Sequence, residues 1–111
     1  MGAVWSSRRM KLEDTAYLMQ SEDFKLRGIA EYYQIKIRTE QNREFIRKWE
    51  SNELDFVPCN SLESSKRQLD AMEHYEYVLR LRLQEVFKVH DDTEFENAIN
   101  KYVARHTIIP S

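Results

Sequence analysis

Ser51-Asn52-Glu53-Leu54-Asp55-Phe56-Val57-Pro58-Cys59-Asn60-Ser61 is the break on which the reading of this chain turns. It carries Pro58, the one proline away from the C-terminus, and proline cannot be accommodated in a helix interior without loss of a backbone hydrogen bond. On either side lie long stretches of helical periodicity, about 22–50 and 61–89. Two helices joined by a short break fold back on one another, so the expected core element is a long antiparallel helical hairpin.

Upstream, Ser21 is the expected N-cap, and Glu22 and Asp23 put negative charge in the first turn, where the helix dipole favours it. The seam of this helix reads Phe24, Gly28, Tyr32, Ile35, Thr39, Asn42, Ile46 and Trp49, at alternating four and three spacing. Downstream, Asn60 and Glu63 form a capping-box pattern that starts the second helix at Ser61. Its seam reads Leu62, Ser65, Leu69, Met72, Glu76, Leu79, Leu83 and Val86. Folded about the break, Trp49 meets Leu62, Asn42 meets Leu69, Thr39 meets Met72, Tyr32 meets Leu79 and Gly28 meets Leu83. Large residues face small ones at several levels, as interdigitation requires. Leu54, Phe56 and Val57 are too apolar for a solvated turn and are expected to fold back as a plug over the hairpin end.

Two further segments complete an all-α fold. Thr93 and Glu96 make a second capping box, and Phe95, Ala98, Ile99, Tyr102 and Val103 recur at helical spacing, giving a short C-terminal helix over about 93–105. Residues 1–20 form a basic N-terminal tail, with a short helix at Leu12–Gln20 presenting Leu12, Ala16 and Met19. Residues 21–111 are read as a single helical domain.

Away from the break, apolar residues spread beyond the seam. Leu26, Ile29, Ala30, Tyr33 and Ile37 widen the first helix, and Tyr75, Tyr77, Val78, Leu81 and Phe87 the second. A helix apolar around most of its circumference must be covered on more than one side. Each such side chain gains roughly 1.5–3 kcal/mol on burial. The N-terminal segment and the third helix supply some cover, and a homo-oligomer interface at Leu26, Ile29, Ile37, Val78, Leu81 and Phe87 is expected to supply the rest.

Composition narrows the function classes. With 111 residues, two glycines and a formal net charge of −2, the chain suits one helical domain and has no general attraction to nucleic acid or anionic membrane. No run approaches the roughly 20 apolar residues of a membrane span. The single cysteine, Cys59, fits a reducing compartment, and a cytoplasmic location is expected. Gly2 and Gly28 cannot make a glycine-rich phosphate loop. Asp70 and His74 share a helix face, but Ala71 stands where a Glu-x-x-His metal motif needs its carboxylate. His90 beside Asp91 and Asp92 marks a helix boundary. No metal, cofactor or nucleophile–base pair is implied, and the chain reads as a binding protein and not an enzyme.

The candidate ligand residues are Tyr32, Tyr33, Arg38, Tyr75, Tyr77 and Arg82, together with Arg8 and Arg9 of the tail. Tyrosines stack on bases and arginines grip phosphates, so these residue types suit a small nucleotide held at a subunit junction. Aromatic core packing with solvated arginines accounts for the same pattern. Thr39, Asn42 and Glu76 are polar seam residues that either fix register or line a pocket.

The stretch from Glu31 to Arg82 resembles small helical proteins encoded by bacteriophages and prophages. The resemblance rests on Glu31-Tyr32, Arg38, the run Leu54-Asp55-Phe56-Val57-Pro58-Cys59-Asn60-Ser61-Leu62, then Gln68, Ala71-Met72, Tyr75, Leu79 and Arg82. It covers about half the chain and brings no catalytic residues with it. It implies an accessory protein that counters host defence, by sequestering a nucleotide signal between subunits or by blocking a host protein, in the host cytoplasm. A nucleic-acid regulator using Trp5, Arg8, Arg9 and Lys11, and a structural phage component, are the alternatives.

Overall fold

The computed structural model describes residues 10–107, which form four helices and no strand. They are α1 (Leu12–Leu18), α2 (Phe24–Glu50), α3 (Leu62–Phe87) and α4 (Asp92–His106). The hairpin of α2 and α3 is the long axis of the molecule, and α1 and α4 cover its wide end.

Capping chemistry sets the helix boundaries, and each expected cap is displaced by one or two residues: Asp23 stands in for Ser21, Ser61 for Asn60 and Asp91 for Thr93. Asp23, not Ser21, caps α2: its carboxylate accepts from the Lys25 N–H at 2.8 Å, while the Ser21 hydroxyl accepts from the Asp23 N–H at 3.0 Å. Two residues that both favour caps stand in tandem, and the carboxylate is the better acceptor for exposed amides. Ser61 caps α3 by accepting from the Ser64 N–H at 3.1 Å. Asp91 caps α4, taking the N–H groups of Thr93 and Glu94. At the other ends, Asn52 and Lys88 adopt the left-handed conformation that closes helices, with φ of 59° and 56°.

The seam predicted from spacing is the seam that forms. Tyr32, Ile35, Thr39 and Ile46 of α2 are buried, as are Ser65, Met72, Leu79 and Leu83 of α3. Gly28 lies against Leu83, and the Asn42 amide reaches the Met72 sulfur at 3.7 Å. The polar seam residues are partnered structurally. Thr39 donates to the Ile35 carbonyl at 2.6 Å within its own helix. Ser65 accepts from Asn60 at 2.6 Å, pinning the break to α3. Burial pushes the Glu76 carboxyl upward against the pull of Lys36 and Arg43. Phe24, at the start of the expected seam, stays 59 % exposed.

The expected face of α1 is corrected. Leu12, Ala16 and Met19 are exposed, and the helix buries Asp14, Thr15 and Leu18, with Met10 alongside. The two buried polar residues are satisfied locally: Asp14 accepts the Lys11 N–H at 2.9 Å and Thr15 donates to the Leu12 carbonyl at 2.6 Å. Local bonding removes the cost of burying them, which leaves Leu18 and Met10 to join the core.

Candidate functional site

Between the first two turns of α2 and the last two of α3 the helices leave a groove of about 180 Å³. Gly28 lies in its wall, where an added Cβ would meet the Leu83 methyl at 3.5 Å, an ordinary contact distance. Leu79, Leu83 and Val86 form an apolar floor from α3, and Phe24 rises at the open end. Cations stand around it. Lys25 and Arg27 come from α2 and Arg82 from α3, with the Glu31 carboxylate as the opposing charge. Arg27 is steadied by donating to the Ser21 carbonyl at 2.9 Å. Tyr75, one turn below Leu79, donates its hydroxyl to Glu31, and that bond raises the phenol above its ordinary pKa.

The candidate ligand residues divide sharply. Arg82 lines the groove and Tyr75 borders it through Glu31. Tyr32 is a core residue, 1 % exposed, with its ring edge-on to Tyr33 and Phe95 and its hydroxyl accepting from Arg80 at 3.2 Å. That correction follows from α4, which brings Phe95 down onto Tyr32. Tyr33 is half-buried, and burial lifts its hydroxyl well above the normal tyrosine range. Arg38 and Tyr77 are exposed and stand outside the groove lining. Arg8 and Arg9 lie outside the described residues.

The interface candidates divide in the same way. Leu26 and Ile29 are 3 % and 0 % exposed within a single chain, so α1 and α4 already meet the demand that an oligomer was expected to meet there. Ile37 and Phe87 are half-buried against the same core. Val78 and Leu81 remain 43 % and 41 % exposed, and with Tyr77 they make an apolar patch on the outside of α3.

A family model for Sequestin matches residues 22–85, the whole of α2, the break and nearly all of α3. The chain belongs to the Sequestin family. No match was found among curated proteins or solved structures. The Sequestin match contains every residue of the groove lining except Val86, and it leaves out α1 and α4. The family name fits a binding or sequestering role. Among the described residues, no three His, Cys, Asp or Glu side chains converge as a metal site would need, and no helix is long and apolar enough to cross a membrane.

Phe24, Lys25 and Glu31 of the groove were not singled out as ligand residues by sequence reasoning. The available signal was Gly28, a glycine inside a long helix that has no turn to make.

Proposed function

We propose that this protein sequesters a small anionic nucleotide, without chemistry, in the α2–α3 groove. Three cations around an apolar floor carry the reading: Lys25, Arg27 and Arg82 supply phosphate-binding charge, and Phe24 and Tyr75 supply rings at the edge. A volume of about 180 Å³ is below the roughly 300–1,000 Å³ of a complete small-molecule site, so one chain offers part of a pocket. A second copy docked through Tyr75, Val78 and Leu81 closes it, and the ligand sits at a subunit junction. The resemblance to phage-encoded hairpin proteins supports a counter-defence setting, in which the captured ligand is a host signal.

Thermal unfolding in the presence of cyclic and linear nucleotides tests this. A ligand at a hundred times its Kd stabilises by about 2.7 kcal/mol, a rise of roughly 10 °C for a domain of this size. Arg82→Ala should abolish the rise, and Gly28→Leu should abolish it by filling the groove. Failure of every nucleotide to stabilise the protein would remove the reading.

The α3 patch favours a second reading. Three neighbouring exposed side chains, Tyr77, Val78 and Leu81, are also what a protein partner would cover. A stable complex with a host protein, broken by Leu81→Asp and indifferent to Gly28→Leu, would establish that version instead.

A further inference from the structure

The α2–α3 groove sets one anion among its cations. Glu31 lines it together with Lys25, Arg27 and Arg82. Among the described residues the bonded partner of its carboxylate is the Tyr75 hydroxyl, which donates to Oε1 across the hairpin. That bond pushes the phenol upward while Arg82 pulls it down, so Glu31, Tyr75 and Arg82 act on one another as a cluster. The arrangement is wrong for a bare phosphate. An ionised carboxylate only accepts hydrogen bonds. It also repels an anion held by Arg27, which stands one turn away, about 6 Å along the helix axis. A ligand that brings a hydrogen-bond donor beside its anion turns that repulsion into a contact.

Size says which donor. A groove of about 180 Å³ falls below the range of a complete small-molecule site, so it encloses a phosphate and what adjoins it. In a nucleotide the phosphate is adjoined by the ribose, and the hydrogen-bonding edge of the base lies beyond the sugar. We propose that Glu31, held in place by Tyr75, accepts a hydrogen bond from the ribose 2′-hydroxyl of the captured nucleotide and thereby selects ribonucleotides over 2′-deoxyribonucleotides. The inference rests on the nucleotide reading above and adds a sugar specificity to it. Linear 5′-nucleotides and 3′,5′-cyclic ones both leave the 2′-hydroxyl free, whereas cyclisation consumes the 3′-hydroxyl. The hydroxyl donates to Oε2, the oxygen that Tyr75 leaves over, in a charge-assisted bond. Tyr75 is the positioning residue, since a carboxylate already fixed in one rotamer loses less freedom on binding. Glu31 is half-buried and the groove is open, so discrimination stays far below the roughly ten-thousandfold of a sealed hydroxyl site.

The test is titration calorimetry on the full chain with AMP, GMP and their 3′,5′-cyclic forms, each against its 2′-deoxy counterpart. The ribose form should bind about tenfold more tightly, the value of one hydrogen bond to a charged group. Glu31→Ala should bring the two forms to equal affinity by weakening the ribose form, with no loss for the deoxy form, because a repelling charge has gone too. Tyr75→Phe, which keeps the ring at an exposed position, should reduce the preference without abolishing it. Arg82→Ala should weaken both forms alike. Equal binding of the two forms by the unaltered protein overturns the sugar inference and leaves the nucleotide reading standing. A parallel loss of both forms in Glu31→Ala also overturns it, because Glu31 then only supports the fold. Absence of binding by every nucleotide overturns both.

Discussion

The two ends of the α2–α3 hairpin are built by the same heptad spacing and held by different forces. At the wide end Leu18, Ile29, Tyr32, Phe95, Ile99 and Val103 are all essentially inaccessible, contributed by all the helices but α3, with Leu79 and Leu83 completing the cluster. Toward the linker end the buried residues are Thr39, Ile46, Ser65 and Met72, and charge dresses the outside: Arg43 with Glu73, Lys66 with Glu50, and Arg47 with Glu44 and Glu53, all within 2.9 Å. Every one of those ion-pair side chains is about half exposed, and exposed pairs contribute only about 0–1 kcal/mol. Two helices can set a register, but four are needed to exclude water. Stability should therefore reside at the wide end.

Phe95→Ala is the strongest test of that asymmetry. Phe95 is 1 % exposed, meets the Tyr32 ring edge-on at 5.6 Å, and carries the Arg80 guanidinium 4.4 Å above its face. Its removal should cost about 3–5 kcal/mol in chemical denaturation. It should also loosen α4, because Arg80 bridges Tyr32 and Asp92 across that contact. A loss below 1 kcal/mol would mean that the hairpin alone carries the fold.

How far the sequence revealed this division depends on which helix is asked. The hairpin register was legible because two seams, read separately, had to agree, and the Gly28–Leu83 contact is where they do. The role of α1 was not. Its apolar-looking residues Leu12 and Met19 face solvent, while Asp14 and Thr15 go inside because their polar atoms are satisfied within one turn, which periodicity does not register. That misreading is why Leu26 and Ile29 looked available to a partner. The linker was half legible: Leu54 is half-buried, but Phe56 stacks on Phe45 at the side of α2 and Val57 is 91 % exposed, so no plug covers the hairpin end. Of the groove, Arg82 and Tyr75 could be suspected by type alone, whereas Lys25 and Glu31 join it only through the packing angle of two helices.

Backbone changes sharpen the comparison at about 1 kcal/mol. Lys88 holds a left-handed conformation at the end of α3, φ 56°, where a non-glycine residue costs roughly 1 kcal/mol. Lys88→Gly should raise stability by about that amount, since the backbone bond from Val89 N–H to the Gln84 carbonyl is kept. Gly28→Ala should do likewise by improving helix propensity by about 1 kcal/mol, its methyl resting at ordinary contact distance from Leu83. Equal gains at both sites would show that each is limited by local conformation. A loss at Gly28 would show that the groove tolerates no narrowing.

At the linker end, Arg43→Ala should lower stability by no more than about 1 kcal/mol, and 1 M salt, with a Debye length near 3 Å, should erase most of the difference. Glu76 gives the finest distinction, because there the effect depends on pH. Burial raises its folded-state pKa above the unfolded value, with Lys36 and Arg43 opposing. A raised carboxyl favours the folded state below the unfolded pKa and loses that contribution as pH rises through the folded pKa. At neutral pH the ionised form therefore costs stability. Glu76→Gln should raise the midpoint of denaturation at pH 7, by about 0.5 kcal/mol or less, and make no difference near pH 3, where both proteins carry a neutral side chain. A loss at pH 7 would instead mean that Lys36 and Arg43 hold Glu76 as an ion pair, and the charged network of the linker end would then extend into the seam itself.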